Sequence, residues 1–318
     1  MTEKIILLEG IDPAELYGSG NTLLGRISEK FPKLKVIGRG SSIKVMGESG
    51  EITRFDRKLA QLIEYYGRYG HISKEVIDQI YDGGMPRAEQ PVDKNVIVYG
   101  NNGLIVRART AGQQRLVGLY ETNDLLFAVG PAGSGKTYTA IALAVRALRN
   151  KEVKRIILTR PAVEAGEKLG FLPGDLKDKL DPYLQPLYDA LNDMIPAAKL
   201  NKYVEEGTVQ IAPLAYMRGR TLDNAFVILD EAQNTTVSQI KMFLTRMGKS
   251  AKFIVTGDVT QVDLPRKSDS GLVPVMGLLK NIDGIGMVQF DNRDIIRHPL
   301  VGHIVQAFDN APAPEDQH

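Results

Sequence analysis

A chain of 318 residues with no cysteine and only four scattered histidines excludes disulfides and thiolate metal sites and argues against structural zinc. Its 40 basic and 38 acidic side chains nearly cancel, so a net charge of +2 says little about partners. An apolar fraction of 43% suits a packed core, and no apolar run reaches the roughly 20 residues of a membrane helix, so we expect no membrane segment.

At this length two domains are expected. The IILL run at 5–8 has neither the length nor the cleavage pattern of a signal peptide, which places the chain in the cytoplasm. Taken in order, the pattern predicts a strand at Lys4–Leu8 and a helix over about Asn21–Phe31. Strands at Leu34–Ile37 and Ser42–Met46 come next, joined by a Gly-Arg-Gly turn, and then a helix over about Ile52–Tyr69. This is a small α+β unit over residues 1–82. Between Arg26 and Arg68 it is rich in cations, among them Lys30, Lys33, Lys35, Arg39, Lys44, Arg54, Arg57 and Lys58. Such a stretch is either a solvated basic face or a surface for a phosphate backbone.

Glycine, proline and charge from Asp82 to Pro91 mark a boundary. Val96–Tyr99 and Leu104–Arg107 flank Gly100-Asn-Asn-Gly103 as a hairpin, completing a linker region at 83–106. From about Arg107, apolar strands alternate with helical periodicity: Leu125–Val129, Arg155–Thr159, Val209–Ile211, Phe226–Leu229, Phe253–Thr256 and Met287–Phe290. Alternation of this kind favours an α/β domain, here 107–310, with a parallel sheet covered by helices on both faces. Ligands then collect at the carboxyl ends of the strands. The polar tail at 311–318 is expected to be disordered.

Directly after the strand Leu125–Val129 comes Gly130-Pro131-Ala132-Gly133-Ser134-Gly135-Lys136-Thr137, followed by Tyr138, opening a helix to about Leu148. This is the phosphate-loop pattern in its proper context. The glycines let backbone N–H groups turn around a phosphate, Lys136 reaches the β- and γ-phosphates, and Thr137 offers its hydroxyl to magnesium. ATP and Mg2+ are therefore the expected ligands. The run Phe226-Val-Ile-Leu ends in Asp230 and Glu231. Asp230 suits the metal's ligand shell, and a second carboxylate beside it can orient and deprotonate an attacking water. Simple phosphate-transferring kinases have no need of that carboxylate, so hydrolysis is favoured over kinase chemistry.

After the run Phe253–Val255, Thr256-Gly257-Asp258-Val259-Thr260-Gln261 should sit at the same edge of the sheet. Gln261 can report the γ-phosphate through its amide, or the segment is a structural turn. Upstream, Gln113, or its neighbour Gln114, lies where an amide can read adenine or simply face solvent from a helix.

Together these residues resemble the PhoH family of P-loop ATPases. The resemblance also rests on Arg160-Pro-Ala-Val-Glu164-Ala-Gly166-Glu167, Leu169-Gly-Phe-Leu-Pro-Gly174, Gly219-Arg220-Thr221-Leu222, Met242-Phe-Leu-Thr-Arg246 and Arg297-His298-Pro-Leu300. It implies a RecA-like core preceded by a KH-like N-terminal domain. It further implies an RNA-associated, helicase-like ATPase of RNA metabolism and ribosomal RNA maturation, with an endoribonuclease partner. A helicase-like motif would lie near Arg160–Gly166. The chain has room for one RecA-like domain only, so an arginine finger must come from a neighbouring subunit of a homo-oligomeric ring, a hexamer by the resemblance. Arg297 and Arg220 are the candidates, unless each forms a structural ion pair. A nucleotide-dependent switch or scaffold without RNA is the competing reading.

Overall fold

The computed structural model describes residues 2–8, 11, 13–69, 72–83, 95–101, 104–161 and 176–296, with side chains excepted at 67–69 and 176–183. The expected linker from 84 to 94, the segment from Arg297 onward and the tail lie outside the described residues.

The N-terminal unit is an antiparallel sheet of β1 (Thr2–Leu7), β2 (Lys35–Arg39) and β3 (Ser42–Gly47) in the order β1-β3-β2. One face is covered by α1 (Pro13–Tyr17), α2 (Thr22–Glu29), α3 (Ser49–Tyr69) and α4 (Lys74–Tyr81). Alternation decides the faces: Ile43 and Val45 turn into the core, so Lys44 and its cross-strand partners Ile5 and Ile37 share the opposite, open face. Edge-on ring contacts of Phe31 with Phe55 (5.3 Å) and with Tyr81 (5.5 Å) hold the core. The helix α4 was not expected, yet Ser73 caps its start and Val76, Ile77, Ile80 and Tyr81 form its buried stripe. Asp78 ties it to α2, accepting a fork from Arg26 (2.9 and 2.8 Å) and an ion pair from Lys30 (2.9 Å).

After the expected hairpin, β4 (Val96–Tyr99) with β5 (Ile105–Arg107), the second unit is built, among the described residues, on six strands. These are β6 (Leu125–Val129), β7 (Arg155–Arg160), β8 (Val209–Pro213), β9 (Ala225–Leu229), β10 (Lys252–Gly257) and β11 (Ile285–Gln289). All pair in parallel, in the order β11-β6-β10-β9-β7-β8. The helices are α5 (Ala111–Tyr120), α6 (Lys136–Arg149), α7 (Leu176–Met194), α8 (Ala197–Glu205), α9 (Val237–Leu244) and α10 (Leu272–Leu279).

Both faces of the sheet are buried, which is why its central strands read as unbroken apolar runs rather than alternating ones. Leu126, Ala128, Ile156, Leu158, Phe226 and Ile228 pack under α5, α6, α7 and α8; Phe127, Ile157, Val227, Leu229, Phe253 and Val255 pack under α9 and α10. The architecture is the expected α/β, RecA-like core. Strand register aligns the strand ends: Gly257 pairs with Val129, Val255 with Leu229, and Leu229 with Thr159. The loops leaving β6, β10, β9 and β7 therefore emerge side by side along one edge.

Candidate functional site

Each of those four loops delivers one part of a polar cluster. The loop after β6 turns on glycines with positive φ at Gly130 (155°), Gly133 (79°) and Gly135 (79°), then enters α6. A Cβ on Gly130 would stand 2.4 Å from the Phe290 carbonyl oxygen, so close packing against the chain beyond β11 also demands glycine there. Lys136 is buried and folds back across the loop, donating to the carbonyls of Gly130 and Pro131, both at 2.8 Å. Ser134 donates to the Pro131 carbonyl at 2.8 Å.

The loop after β9 begins with Asp230, only 2% exposed. Its Oδ1 accepts from the Thr137 hydroxyl at 2.6 Å and from the Thr256 hydroxyl at 2.6 Å. Its Oδ2 accepts from Arg160, at the end of β7, through Nε (2.8 Å) and a terminal nitrogen (2.5 Å). The walls of the site thus meet on one carboxylate. Beside it, Glu231 is half-buried with a left-handed backbone (φ 55°), an uncommon conformation for a residue with a side chain. Burial and the neighbouring Asp230 charge push its carboxyl pKa up, opposed by a hydrogen bond from Gln233 and by Arg160 and Lys136.

Three further side chains lock the loops together. The Gln233 amide donates to Glu231 at 2.6 Å and accepts from the Asp258 backbone N–H at 2.9 Å. Asp258 in turn accepts from the Ala132 N–H at 2.9 Å and from Thr260. Asn234 exchanges two hydrogen bonds with Asp263, at 3.0 and 2.7 Å.

A family model described as PhoH-like protein matches residues 105–309. The chain belongs to the PhoH family. It is 48% identical to a PhoH-like protein of Bacillus subtilis, over 97% of this chain and 99% of that one. It is also 37% identical to the Escherichia coli protein PhoH, over 95% of this chain and 82% of that one. Among solved structures it overlays the Pif1 helicase of Candida albicans at 12% identity and TM-score 0.33, over 63% of this chain and 43% of that one, too loosely to bear on function.

Within this PhoH family core the structure brings together Gly130 to Thr137, Asp230 and Glu231. Tyr138 lies one position on, its hydroxyl on Asp193 at 3.0 Å and its pKa pushed up to about 12 by burial and that carboxylate. Gln113 is buried on α5, donating to the Ser134 carbonyl at 3.0 Å and accepting from the Arg109 N–H at 2.8 Å. Its amide thus buttresses the phosphate loop, and an adenine contact would have to displace one of these bonds. Gln261 stands exposed just past the turn at Asp258. Arg220 is held by Gln210 of the edge strand β8 at 2.7 Å, four strands from β6. Arg297 and the segment from Glu164 to Gly174 lie outside the described residues.

Sequence reasoning missed the roles of Arg160, Gln233, Asp258 and Thr256 in this cluster. The signal available was positional: each sits at or just beyond the carboxyl end of a predicted strand.

Close packing of the phosphate loop yields a direct test by glycine replacement. Gly130→Ala should lower folding stability by about 1–3 kcal/mol, from overpacking against Phe290. Gly25→Ala, inside α2 with open space around it, should raise it by about 0.5–1 kcal/mol. Denaturant titration of the two variants reads the difference.

Proposed function

We propose that this chain binds ATP with magnesium at Gly130–Thr137 and hydrolyses it with Glu231 as the base. The observation that carries the reading is the pairing of Thr137 with the buried Asp230 at 2.6 Å, with Glu231 next to it. The pair offers a hydroxyl and a carboxylate oxygen on adjoining loops, the hard oxygen donors that magnesium takes, so the residues fit that ion. Held by Thr137 and Asp230, magnesium would supply positive charge to offset the charge developing on the transferred phosphoryl group. Backbone N–H groups of the glycine loop hold the phosphates, and the Lys136 ammonium exchanges its carbonyl partners for phosphate oxygens. Glu231 takes the proton of the attacking water as its oxygen bonds to phosphorus and the bond to the leaving ADP breaks. The raised proton affinity of its carboxyl favours that role, and Gln233 fixes its position.

Removal of the Lys136 charge in Lys136→Ala should abolish ATP binding or turnover. Glu231→Gln keeps the shape and should still bind ATP while hydrolysis falls by about 10²-fold or more. Filter binding beside phosphate release separates the two, and wild-type turnover by Glu231→Gln would remove the base from the scheme.

We further propose that the ATPase acts on RNA, through the open face of the N-terminal sheet. Lys35, Arg39 and Lys44 share that face with the exposed Ile5 and Leu7, though Lys44 already pairs with Glu3 at 2.7 Å. Cations beside apolar side chains suit a single strand held by its phosphates with little sequence preference. Association with ribosomal RNA maturation and an endoribonuclease belongs to the same proposal. ATP turnover should rise with single-stranded RNA, lose that stimulation in Lys35→Glu/Arg39→Glu, and lose it steeply with salt. Turnover indifferent to any RNA would favour the switch reading.

The remaining proposal is a homo-oligomeric ring, a hexamer, in which Arg297 reaches the neighbouring subunit's γ-phosphate. It rests on the one parallel sheet seen among the described residues, where no second RecA-like unit faces the phosphate loop. Mixing Arg297→Ala with Lys136→Ala subunits should recover ATPase activity, because each supplies what the other lacks. No recovery, with a monomeric mass in solution, would defeat it.

A further inference from the structure

The helix α6 starts at the phosphate loop with Lys136 and ends at Arg149, about 20 Å away by helical rise. At that far end a cavity of about 630 Å³ opens between the N-terminal unit and the core. Tyr66 of α3 stands in one wall; Arg149 of α6 and Lys199, Lys202, Tyr203 and Glu206 stand in the other. Three cations thus share the cavity with one carboxylate.

That carboxylate is taken up at the exposed rim, where Glu206 lies 3.8 Å from Lys202. Among the described residues Arg149 donates to two main-chain carbonyls, those of Tyr99 (2.5 Å) and Met194. Lys199 lies over the Tyr203 ring, 5.6 Å from its centroid. Among the described residues neither Arg149 nor Lys199 has a carboxylate partner. Burial lowers the pKa of both, and the Arg149 charge lowers that of Lys199 further. Two half-buried like charges kept close together without a counter-ion reduce stability, and an anion between them would restore it. The volume falls within the range of about 300–1,000 Å³ usual for small-molecule sites.

We infer that this cavity is a second, non-catalytic binding site for a phosphorylated small molecule of mononucleotide size. Its phosphate sits on Arg149 and Lys199, and its apolar part lies along Tyr66. Because Tyr66 belongs to the N-terminal unit, the ligand joins that unit to the helix whose first turn carries Lys136 and Thr137. The site does not depend on ATP hydrolysis at the phosphate loop, and it can be read with that loop disabled.

The experiment is equilibrium dialysis of the full chain carrying Lys136→Ala with labelled AMP, inorganic pyrophosphate and a 5′-phosphorylated oligoribonucleotide. AMP or pyrophosphate should occupy a single site per chain. Adding Lys199→Glu should weaken it by about tenfold or more, while Lys280→Glu, an exposed cation after α10, should leave it unchanged. Lys199→Gln replaces Lys199→Glu if thermal melting shows the latter misfolded. Four results would overturn the inference. Neither AMP nor pyrophosphate binds at about 1 mM, a concentration at which even weak ligands register. Binding survives the loss of Lys199. Lys280→Glu weakens it equally, the mark of unspecific charge. Only the oligoribonucleotide binds, which assigns the cavity to RNA.

Discussion

A carboxylate that is 2% exposed is the constraint around which the functional edge is arranged. An unpaired charge at that depth would cost several kcal/mol, so Asp230 requires both a counter-charge and donors for its remaining lone pairs. Arg160 supplies the charge, and the hydroxyls of Thr137 and Thr256 supply the donors. These three partners and Asp230 itself come from four different strands or loops, and they meet only because parallel pairing puts Val129, Thr159, Leu229 and Val255 in neighbouring registers. The sheet is therefore not a passive platform. Its register is what makes the ion pair possible, and the ion pair makes the burial of Asp230 tolerable.

Around that centre the loops are joined by side-chain amides and a second acid rather than by apolar packing. Gln233 links Glu231 to the backbone at Asp258, and Asp258 links the same turn to Ala132 in the phosphate loop. On the far side Gln113 holds the loop at Ser134, and Asp294 accepts from the Gly112 N–H at 2.8 Å. A displacement of the phosphate loop is thus transmitted to Glu231 through a short run of hydrogen bonds. Hydrogen bonds are directional and easily exchanged, which would suit loops that rearrange in the proposed reaction better than a locked apolar contact would.

Much of this architecture is legible in the sequence, for physical reasons. A strand buried on both faces must be apolar throughout, so β6 and β9 announce themselves, and the glycine pattern of the phosphate loop has few other uses. Less legible is α4, whose eight residues make a short period although Ser73 and the Val76, Ile77, Ile80 and Tyr81 stripe carry the cap and the pattern. The partners of Asp230 cannot be assigned from sequence, since Arg160 lies 70 positions away and only strand order brings it near. Gln113 shows the opposite difficulty. Its position near the nucleotide loop is foreseeable, but an amide offers a donor and an acceptor to protein and ligand alike, and spacing does not tell which it serves.

The two cations of the site obey one rule that bears on how the proposed nucleotide would be held. Lys136 donates to the carbonyls of Gly130 and Pro131, and Arg160 to Asp230, so neither charge lies buried without compensation. On the proposed reading phosphate meets no idle cation; it would replace the carbonyl dipoles that already solvate the Lys136 ammonium. Net affinity is then the difference between two sets of interactions, smaller than either alone. The exchange also moves information. Gly130 and Pro131 are the residues from which Lys136 departs, and Ala132, the next along, is held by Asp258. Releasing the lysine from its own loop therefore alters the backbone that Asp258 and Gln233 connect to Glu231. In the proposed reaction, occupation by phosphate and placement of Glu231 as base would be coupled by the same few hydrogen bonds that keep the site from carrying an unpaired charge.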